Sequence, residues 1–415
     1  MTRILLRAAQ DPAAVLKPMR SAERMGANAG NLLYANGVVR SLAAHSNRLE
    51  TGAFDAHLVD RESWIRKINQ RYDHYVVPLA NAFRYKNGTS LEAMTALVRG
   101  LDIPVTVVGV GAQATITAGS EEALTIRMGK TGGRKLPSAA DSARHDDRVR
   151  DFVEAVLEKS ASFGVRGPIT QSYLVGLGLP ENRIDVIGCP SVFTWGPDHR
   201  VRTDDDRPLT QDSAVSMNID YRVRGIGPVI ERNAELYPGL TSPSQDLNSA
   251  RMIITGEDQF DMTRRDPRTP VHTGHPLYHE GRLLFFPNPW GWIASLSRMQ
   301  FVFGNRLHGN IAAILGGTPA HLLAHDSRTL ELADYHAIPH SKLHEHEAPP
   351  TAAELWERTD YTAFNEAYPA RFRTYIDFLH RNDLVTAFDG RNRLRRFDRS
   401  IRRGQATQPV VSRRS

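Results

Sequence analysis

The sequence predicts an α/β protein in which two doubly wound domains face each other across a cleft. A chain of 415 residues is too long for one ordinary core. Strand and helix patterns alternate in residues 1–195 and again in residues 212–380, and such alternation is typical of parallel sheets covered by helices. The segment 196–211 between them is polar and rich in Asp and Pro, which indicates a linker.

In the first domain, the predicted strands are short runs of apolar and β-branched residues. The clearest is 104–110, Pro-Val-Thr-Val-Val-Gly-Val, because a nearly continuous apolar run fits a strand buried on both faces. Further strands are predicted at 57–59, 75–79, 163–166 and 184–187. Helices are predicted at 31–42, around 64–68, at 89–98, at 149–157 and from Pro168, a residue suited to a first helical turn.

The second domain repeats the alternation with different sequences. Strands are predicted at 214–217, 252–254, 283–286, 301–304 and 319–324. Helices are predicted between 290 and 299, over 311–315 and around 330–332. Parallel strands of such domains end at one edge of the sheet, so residues that directly follow the strands are the candidates for a ligand site.

Residues 381–415 form a basic tail that we predict to be mobile. Residues 391–415 hold nine arginines and one aspartate, so the remaining 390 residues carry about −2 of the net charge of +6. The near-neutral body argues against nucleic-acid binding. The tail either is a solvated basic end or rests on anionic lipid headgroups. No run of about 18 apolar residues occurs, and the single cysteine fits a reducing, cytoplasmic setting.

The strongest chemical signal is segment 301–310, Phe-Val-Phe-Gly-Asn-Arg-Leu-His-Gly-Asn. A strand ends at Gly304, and Arg306 and His308 stand at the start of the following helix. The free N–H groups of a helix start, beside a permanent cation, favour an anionic ligand. Histidine adds proton transfer near neutral pH. Taken alone, the pattern also fits a solvated turn or a structural ion pair.

Several motifs resemble, in order, those of the polysaccharide pyruvyl transferase family. Segment 28–31, Asn-Ala-Gly-Asn, resembles that family's Asn-x-Gly-Asp loop, and 162–166, Ser-Phe-Gly-Val-Arg, resembles its strand that ends in arginine. Segment 305–309 resembles its Arg-x-His signature. Segments 316–319 and 325–328 resemble its Gly-x-Pro strand and the polar loop behind it. The resemblance spans about residues 25–340, and 301–328 is its most specific part.

Three departures from the family pattern leave the acceptor sugar open. Asn31 stands where the family usually has aspartate, and Arg328 stands where lysine is usual. Segment 78–84, Pro-Leu-Ala-Asn-Ala-Phe-Arg, replaces a glycine-rich turn. The chain therefore has room for another sugar or another donor.

The resemblance implies a pair of Rossmann-like domains of the glycosyltransferase-B type. It implies a transferase that moves the pyruvyl group of phosphoenolpyruvate onto two sugar hydroxyls of a polysaccharide or its precursor, forming a ketal and releasing phosphate. The expected catalytic residues are His308 as general acid, Arg306 and Arg166, and no metal or other cofactor is expected. Substrate binding is expected from Asn28, Asn31, Arg84, Gln113, Asn305, Leu307, His325 and Arg328.

Two other functions stay open from the sequence. A nucleotide-sugar-dependent glycosyltransferase would use the same cleft, with arginines on a diphosphate. A non-catalytic carbohydrate-binding or scaffold protein would keep the fold without turnover. The acceptor is a saccharide, free or lipid-linked, and contact of the tail with an anionic membrane would make the protein membrane-peripheral.

Other candidate groups favour structural roles. Trp290 and Trp292 fit core packing better than sugar stacking, and Cys189 fits a small buried residue better than a nucleophile. Four histidines between 336 and 346 include metal-like spacings, but Pro339 interrupts any helix through them.

Overall fold

The computed structural model describes residues 1–26, 28–84, 88–112, 138–205, 207–262, 265–390 and 395–412. Two parallel sheets, each covered by helices, form the frame of the protein and confirm the predicted fold class. The elements of the first sheet and its helices are β1 (Thr2–Ala8), α1 (Pro18–Glu23), α2 (Ala29–Leu42), β2 (Asn47–Ala53), α3 (Arg61–Arg71), β3 (His74–Pro78), α4 (Gly88–Arg99), β4 (Val105–Val108), α5 (Ala139–Leu157), β5 (Phe163–Val165), α6 (Pro168–Gly176) and β6 (Ile184–Val186).

The first sheet has the strand order β2-β1-β3-β4, and a parallel bridge between Val110 and Val165 connects β4 to the β5-β6 pair. A 3-10 turn, Pro190–Phe193, then leads toward the second sheet. Strands β3, β4 and β5 are fully buried, as their apolar sequences predict. Arg166 directly follows β5 and therefore stands at the carboxyl edge of the sheet.

The second half contains β7 (Val215–Asn218), α7 (Ile226–Leu236), β8 (Ser242–Pro243), α8 (Leu247–Thr255), α9 (Pro276–His279), β9 (Leu283–Phe285), α10 (Pro289–Leu296), β10 (Phe301–Gly304), α11 (Leu307–Leu315), β11 (Ala320–Ala324), α12 (Ser327–His336), β12 (His340–Lys342), α13 (Ala352–Trp356), α14 (Thr362–Arg381), α15 (Arg395–Gln405) and β13 (Val410–Val411).

The strand order of the second sheet reverses between β7 and β10. Strands β12-β11-β10-β7 run in one ladder, and a parallel bridge from Ser216 to Thr241 leads on to β8, β9 and the antiparallel β13. The chain therefore builds outward from β7 on one side and from β10 on the other. Ligands of open α/β sheets bind outside the carboxyl ends of the strands at such a reversal, and Asp220 and Arg306 follow these two strands.

Two strand predictions are wrong. The predicted strand at 57–59 is a turn in which Leu58 and Val59 are largely exposed, and the edge strand β2 precedes it. The predicted strand at 252–254 lies in α8. Asp246 caps the start of that helix by accepting from the Ser249 N–H, and Gly256 ends it with a φ of 78°. These caps outweigh the β-branched residues.

The C-terminal segment packs on the body over its described residues, and its predicted mobility stays a prediction. Helix α15 lies on α10, with Ile401 only 4% exposed and the rings of Phe397 and Trp290 6.3 Å apart. Before it, α14 returns to the first half, where Tyr375 donates to the Ser41 hydroxyl. The predicted domain limits stay predictions. Among the described residues, no helix combines the length and apolar character needed to cross a bilayer.

Candidate functional site

Arg166 carries a buried guanidinium whose hydrogen-bonding capacity is largely unused. The residue is 0% exposed, and its Nε donates to the Gly109 carbonyl at 3.0 Å. The two terminal nitrogens of its guanidinium, Nη1 and Nη2, have no hydrogen-bond partner among the described residues. The guanidinium carbon lies 5.4 Å from the ring centroid of Tyr34, whose hydroxyl also donates to the Gly109 carbonyl. A buried cation with free donors suits a carboxylate or phosphate of a ligand.

Arg306 lies in the second half of the protein, at the N-cap position of α11. The residue is 6% exposed, and its Nε donates to the Ile219 carbonyl at 2.7 Å. One terminal amine lies 3.5 Å from a carboxylate oxygen of Asp246 and 3.9 Å from one of Asp220. Burial opposes ionisation of Asp220, but Arg306 and Arg222 outweigh it and hold the pKa of Asp220 well below its usual range. Arg306 is thus oriented by two carboxylates from neighbouring strand ends.

Asn305 and Leu307 serve the turn itself. The Asn305 amide oxygen accepts from the Asp220 N–H at 2.6 Å, and its amide nitrogen donates to the Asp220 carbonyl at 3.1 Å. Leu307 is 5% exposed and belongs to the hydrophobic core. Their predicted role in substrate binding stays a prediction: in the structure the Asn305 amide holds the Asp220 backbone, and the Leu307 side chain packs in the core.

His308 is partly buried and surrounded by cations. Its ring lies edge-on to Tyr34 at 6.0 Å, and its Nε2 lies 3.9 Å from the Cys189 sulfur. Burial, together with Arg166, Arg328 and Arg306, lowers the pKa of His308 well below its ordinary value. The imidazole is therefore neutral near pH 7, so a role as general acid requires that it first gain a proton.

Arg84 and Arg328 complete the cationic lining of the site. Arg328 donates to the Asp326 carboxylate at 3.2 Å. The Arg84 side chain is exposed, and desolvation by surrounding groups, together with Arg328, lowers its pKa to about 10. The positive charge of Arg166 also lowers the pKa of Arg84. Arginines from both sheets therefore converge on one region, as the carboxyl edges of two facing sheets allow.

His325 and Asp326 lie behind these arginines. Asp326 caps α12 by accepting from the Thr329 N–H at 2.8 Å. Burial opposes its ionisation, but Arg328 and His325 lower its pKa. The Nδ1 of His325 is buried and has no hydrogen-bond partner among the described residues, and burial lowers the pKa of the ring. His325 thus supports Asp326 while one ring nitrogen stays unused.

The predicted loop 28–31 forms the start of α2. Asn28 is the N-cap and accepts from the Gly30 N–H at 2.7 Å, while Asn31 donates to the Gly26 carbonyl at 2.7 Å. Ala29 also donates to the Gln245 carbonyl, so this turn is bonded to the second half. Gln113 lies outside the described residues. The structure thus places Asn28 and Asn31 as turn formers beside the site.

Four residues of this region were not predicted from the sequence: Tyr34, Asp220, Asp246 and Glu331. Asp220 carried a usable signal, because it follows β7 by two residues. Tyr34 lies in a helix, and the other two make contacts that depend on segments distant in sequence, so no local signal marked them.

The structural roles favoured for other groups agree with their surroundings. Trp290 and Trp292 are 0% and 2% exposed and belong to the core. Cys189 is buried, and burial raises the pKa of its thiol. His336 accepts from the Cys189 N–H at 2.9 Å. Within the described ranges, no group of three or more His, Cys, Asp or Glu side chains is placed to hold a metal ion.

Comparison with known proteins gives one family match. A family model described as polysaccharide pyruvyl transferase matches residues 28–327. No protein with a curated function matches the chain at a significant level.

Similar solved structures include a glycotransferase of kitacinnamycin, with 13% identity over 92% of this chain and 98% of that one and a TM-score of 0.40. They also include two UDP-GlcNAc 2-epimerases. The enzyme from Neisseria meningitidis shows 10% identity over 92% and 100% of the two chains, with a TM-score of 0.40. The enzyme from Methanocaldococcus jannaschii shows 11% identity over 90% and 99%, with a TM-score of 0.43.

Proposed function

Because the chain belongs to the polysaccharide pyruvyl transferase family, we propose that this transferase moves the pyruvyl group of phosphoenolpyruvate onto two hydroxyls of a saccharide, forming a cyclic ketal and releasing phosphate. The observation that carries the proposal is the buried Arg166 guanidinium, whose two terminal amines have no hydrogen-bond partner among the described residues. It lies close enough to His308 to lower the pKa of the imidazole.

The donor carries a carboxylate and a phosphate, and the site offers separate cations for both. Arg166 can bind one anionic group through two parallel N–H donors, a geometry that lysine lacks. Arg306 and Arg328 lie on the facing half, where the α11 N-terminus adds partial positive charge. The negative donor thus offsets the repulsion among these arginines.

The reaction needs one proton transfer at each of two stages. In the first, the acceptor oxygen bonds to the donor carbon that bears the phosphate, and the hydroxyl proton ends on the methylene carbon. In the second, another hydroxyl bonds to the same carbon, the C–O bond to phosphate breaks, and the proton leaves with the phosphate. We assign the first transfer to His308, which is neutral and can accept the hydroxyl proton before passing it on.

A phosphate-release assay tests this function. We expect phosphate release from phosphoenolpyruvate only with a suitable acceptor among galactosides, mannosides, glucosides and glucuronides, and equal rates with and without EDTA. Arg166→Ala and His308→Ala should lose at least about 100-fold in kcat/KM, while Arg48→Ala, at an exposed site, should keep the wild-type rate. Absence of release with every acceptor would contradict the donor assignment, and release of nucleoside diphosphate from a nucleotide sugar would support the glycosyltransferase alternative.

We also propose that helix α15 brings the protein to an anionic membrane where a lipid-linked acceptor would lie. Its apolar side is occupied by Trp290, while Arg399, Arg402 and Arg403 are exposed. Binding by charge alone should be salt-sensitive. We expect sedimentation with vesicles containing phosphatidylglycerol, no sedimentation with phosphatidylcholine alone, and loss of binding when the three arginines become glutamates. Equal binding to both vesicle types would contradict this role.

A further inference from the structure

Helix α6 begins directly after Arg166, and a side chain from the other half of the protein caps it. Its N-cap residue is Gly167, which has no side chain to offer. The cap is Glu331 of α12, whose Oε1 accepts from the Thr170 N–H at 2.6 Å and whose Oε2 accepts from the Thr170 hydroxyl at 3.0 Å. Glu331 is 2% exposed. The first turn of α6 is therefore held by a side chain from the second half of the chain.

Gly167 and Glu331 are matched in shape. A Cβ on residue 167 would collide with the Glu331 side chain and lie 2.7 Å from its carboxyl carbon. The usual N-cap residues Ser, Thr, Asp and Asn would therefore displace the glutamate. With glycine at this position, helix α6 has no local side-chain cap, and Glu331 of helix α12 supplies the cap instead.

The hydrogen-bond directions require two acceptors from Glu331. The Thr170 hydroxyl oxygen accepts from the Ala112 N–H at 3.1 Å, so its own proton points to Glu331. A carboxylate can accept from both the N–H and the hydroxyl of Thr170, whereas a glutamine amide offers one oxygen. Burial raises the pKa of Glu331, and the Thr170 bonds and Arg166 oppose that effect.

The same contacts enclose Arg166 on two sides. Gly167 follows it in the chain, and Ala112 is held beside it by Thr170. The neighbouring Gly111 packs on the arginine stem, since a Cβ there would lie 2.9 Å from the Arg166 Cδ. Helix α12 contacts the first half of the protein at a second point, where His336 accepts a hydrogen bond from the Cys189 N–H. A shift of Glu331 would thus move both segments that hold Arg166.

We propose that Glu331 is a positioning residue that fixes Arg166 relative to His308, although these two groups belong to different sheets. The inference rests on the proposed function of Arg166 as a donor-binding residue. Glu331 itself acts through Thr170 and the start of α6. Its loss should weaken donor binding more than it slows the chemistry at His308.

Kinetics of paired variants test this role. We expect Glu331→Gln and Thr170→Val each to raise the KM for phosphoenolpyruvate about tenfold with kcat within about threefold, as loss of a buried charged hydrogen bond predicts. The double variant should be no worse than either single one, because both break the same contact. Thr170→Ser keeps the hydroxyl and should keep the wild-type KM.

The control is Glu354→Gln, because Glu354 accepts from the Thr351 N–H at the start of α13 and belongs to none of the contacts around Arg166. It should lower the melting temperature without changing KM. A wild-type KM in Glu331→Gln, or additive effects in the double variant, would overturn the proposal.

A binding assay separates this inference from the proposed function. Calorimetric titration with inorganic phosphate needs no turnover. If the wild-type protein releases no phosphate from phosphoenolpyruvate, the proposed function fails, but weaker phosphate binding by Glu331→Gln and Arg166→Ala than by wild type and Glu354→Gln would still support the positioning role. Equal phosphate binding by wild type and Glu331→Gln, or no binding by wild type, would overturn the inference.

Discussion

Gly30 of helix α2 packs directly against the imidazole of His308, so the two halves of the protein meet at the proposed proton-transfer group. A Cβ on residue 30 would lie 2.8 Å from the His308 Nδ1 and 3.0 Å from the His308 Cβ. The same point lies 2.8 Å from the Asn28 amide oxygen. Glycine is thus required for the approach of α2 to α11 rather than for an unusual backbone angle.

Gly30→Ala should reduce activity without unfolding the protein. The added methyl group must displace His308 or the start of α2, and misplacement of a catalytic group by about 1 Å can cost on the order of 100-fold in rate. Alanine is itself a better helix former than glycine. We expect kcat/KM for phosphoenolpyruvate to fall at least about tenfold while the circular dichroism spectrum stays unchanged.

Gly176→Ala is the matched control for this substitution. Gly176 also lies in a helix, and a Cβ there would meet nothing within 4 Å. The variant should gain up to about 1 kcal/mol in free energy of unfolding and keep its activity. Equal activity of both variants would contradict the importance of the contact between Gly30 and His308.

The depressed pKa of His308 predicts a particular pH profile. Burial and the three arginines keep the imidazole neutral until the pH falls well below 6.5. If the neutral form accepts the hydroxyl proton, kcat/KM should be level from pH 7 to 8.5 and fall only on the acid side. Arg328→Ala removes one cation and should shift the acid limb to higher pH.

Arg328→Lys separates charge from geometry in this experiment. Lysine keeps the positive charge, so the acid limb should stay near its wild-type position even if the KM rises. Ionisation of the donor itself is common to all three proteins and cancels in the comparison. An activity that declines in parallel with histidine deprotonation between pH 6 and 8 would show that the free enzyme uses the imidazolium instead.

The sequence predicted the parts of the site that depend on local pattern. Strands β5 and β10 are buried apolar runs; Arg166 directly follows β5, and Arg306 comes two residues after the end of β10. The start of α6 at Pro168 was also predicted. Such features need only strand periodicity and helix-start preferences, which lie within about ten residues.

Contacts between distant segments could not be predicted in this way. Glu331 and Thr170 are 161 residues apart, and nothing near either residue marks their pairing. The sequence did not predict strand β1, because Arg3 and Arg7 flank its apolar run and leave it short. The tail was expected to be mobile because its arginines dominate the composition, whereas Phe397 and Ile401 determine its packing.

Packing of the tail predicts a stability effect at Ile401. The residue is 4% exposed and belongs to the core cluster shared with Trp290. Truncation of a buried isoleucine to alanine typically costs about 2–5 kcal/mol. Urea unfolding should therefore show a large loss for Ile401→Ala and no change for Arg402→Ala on the exposed side. Equal stability of the two variants would indicate that α15 does not stay docked in solution.

Buried neutral histidines predict loss of stability in mild acid. His336 is 1% exposed, and burial lowers its pKa to about 3, while an unfolded histidine has a pKa of about 6.5. As the pH falls through 6.5, the unfolded chain binds a proton that the folded chain does not, so the free energy of unfolding falls, with a slope that approaches about 1.4 kcal/mol per pH unit well below pH 6.5 for this group. His321 and His74 should act in the same direction, because burial also lowers their pKa values, to about 3 and about 4.

Replacement of His336 by glutamine keeps an acceptor for the Cys189 N–H and removes the titrating ring. Urea unfolding between pH 7.5 and 5.5 should therefore show a mean pH slope smaller by about half a proton in His336→Gln, because an unfolded histidine goes from about one tenth to about nine tenths protonated over this range. An unchanged slope would mean that His336 becomes protonated without unfolding.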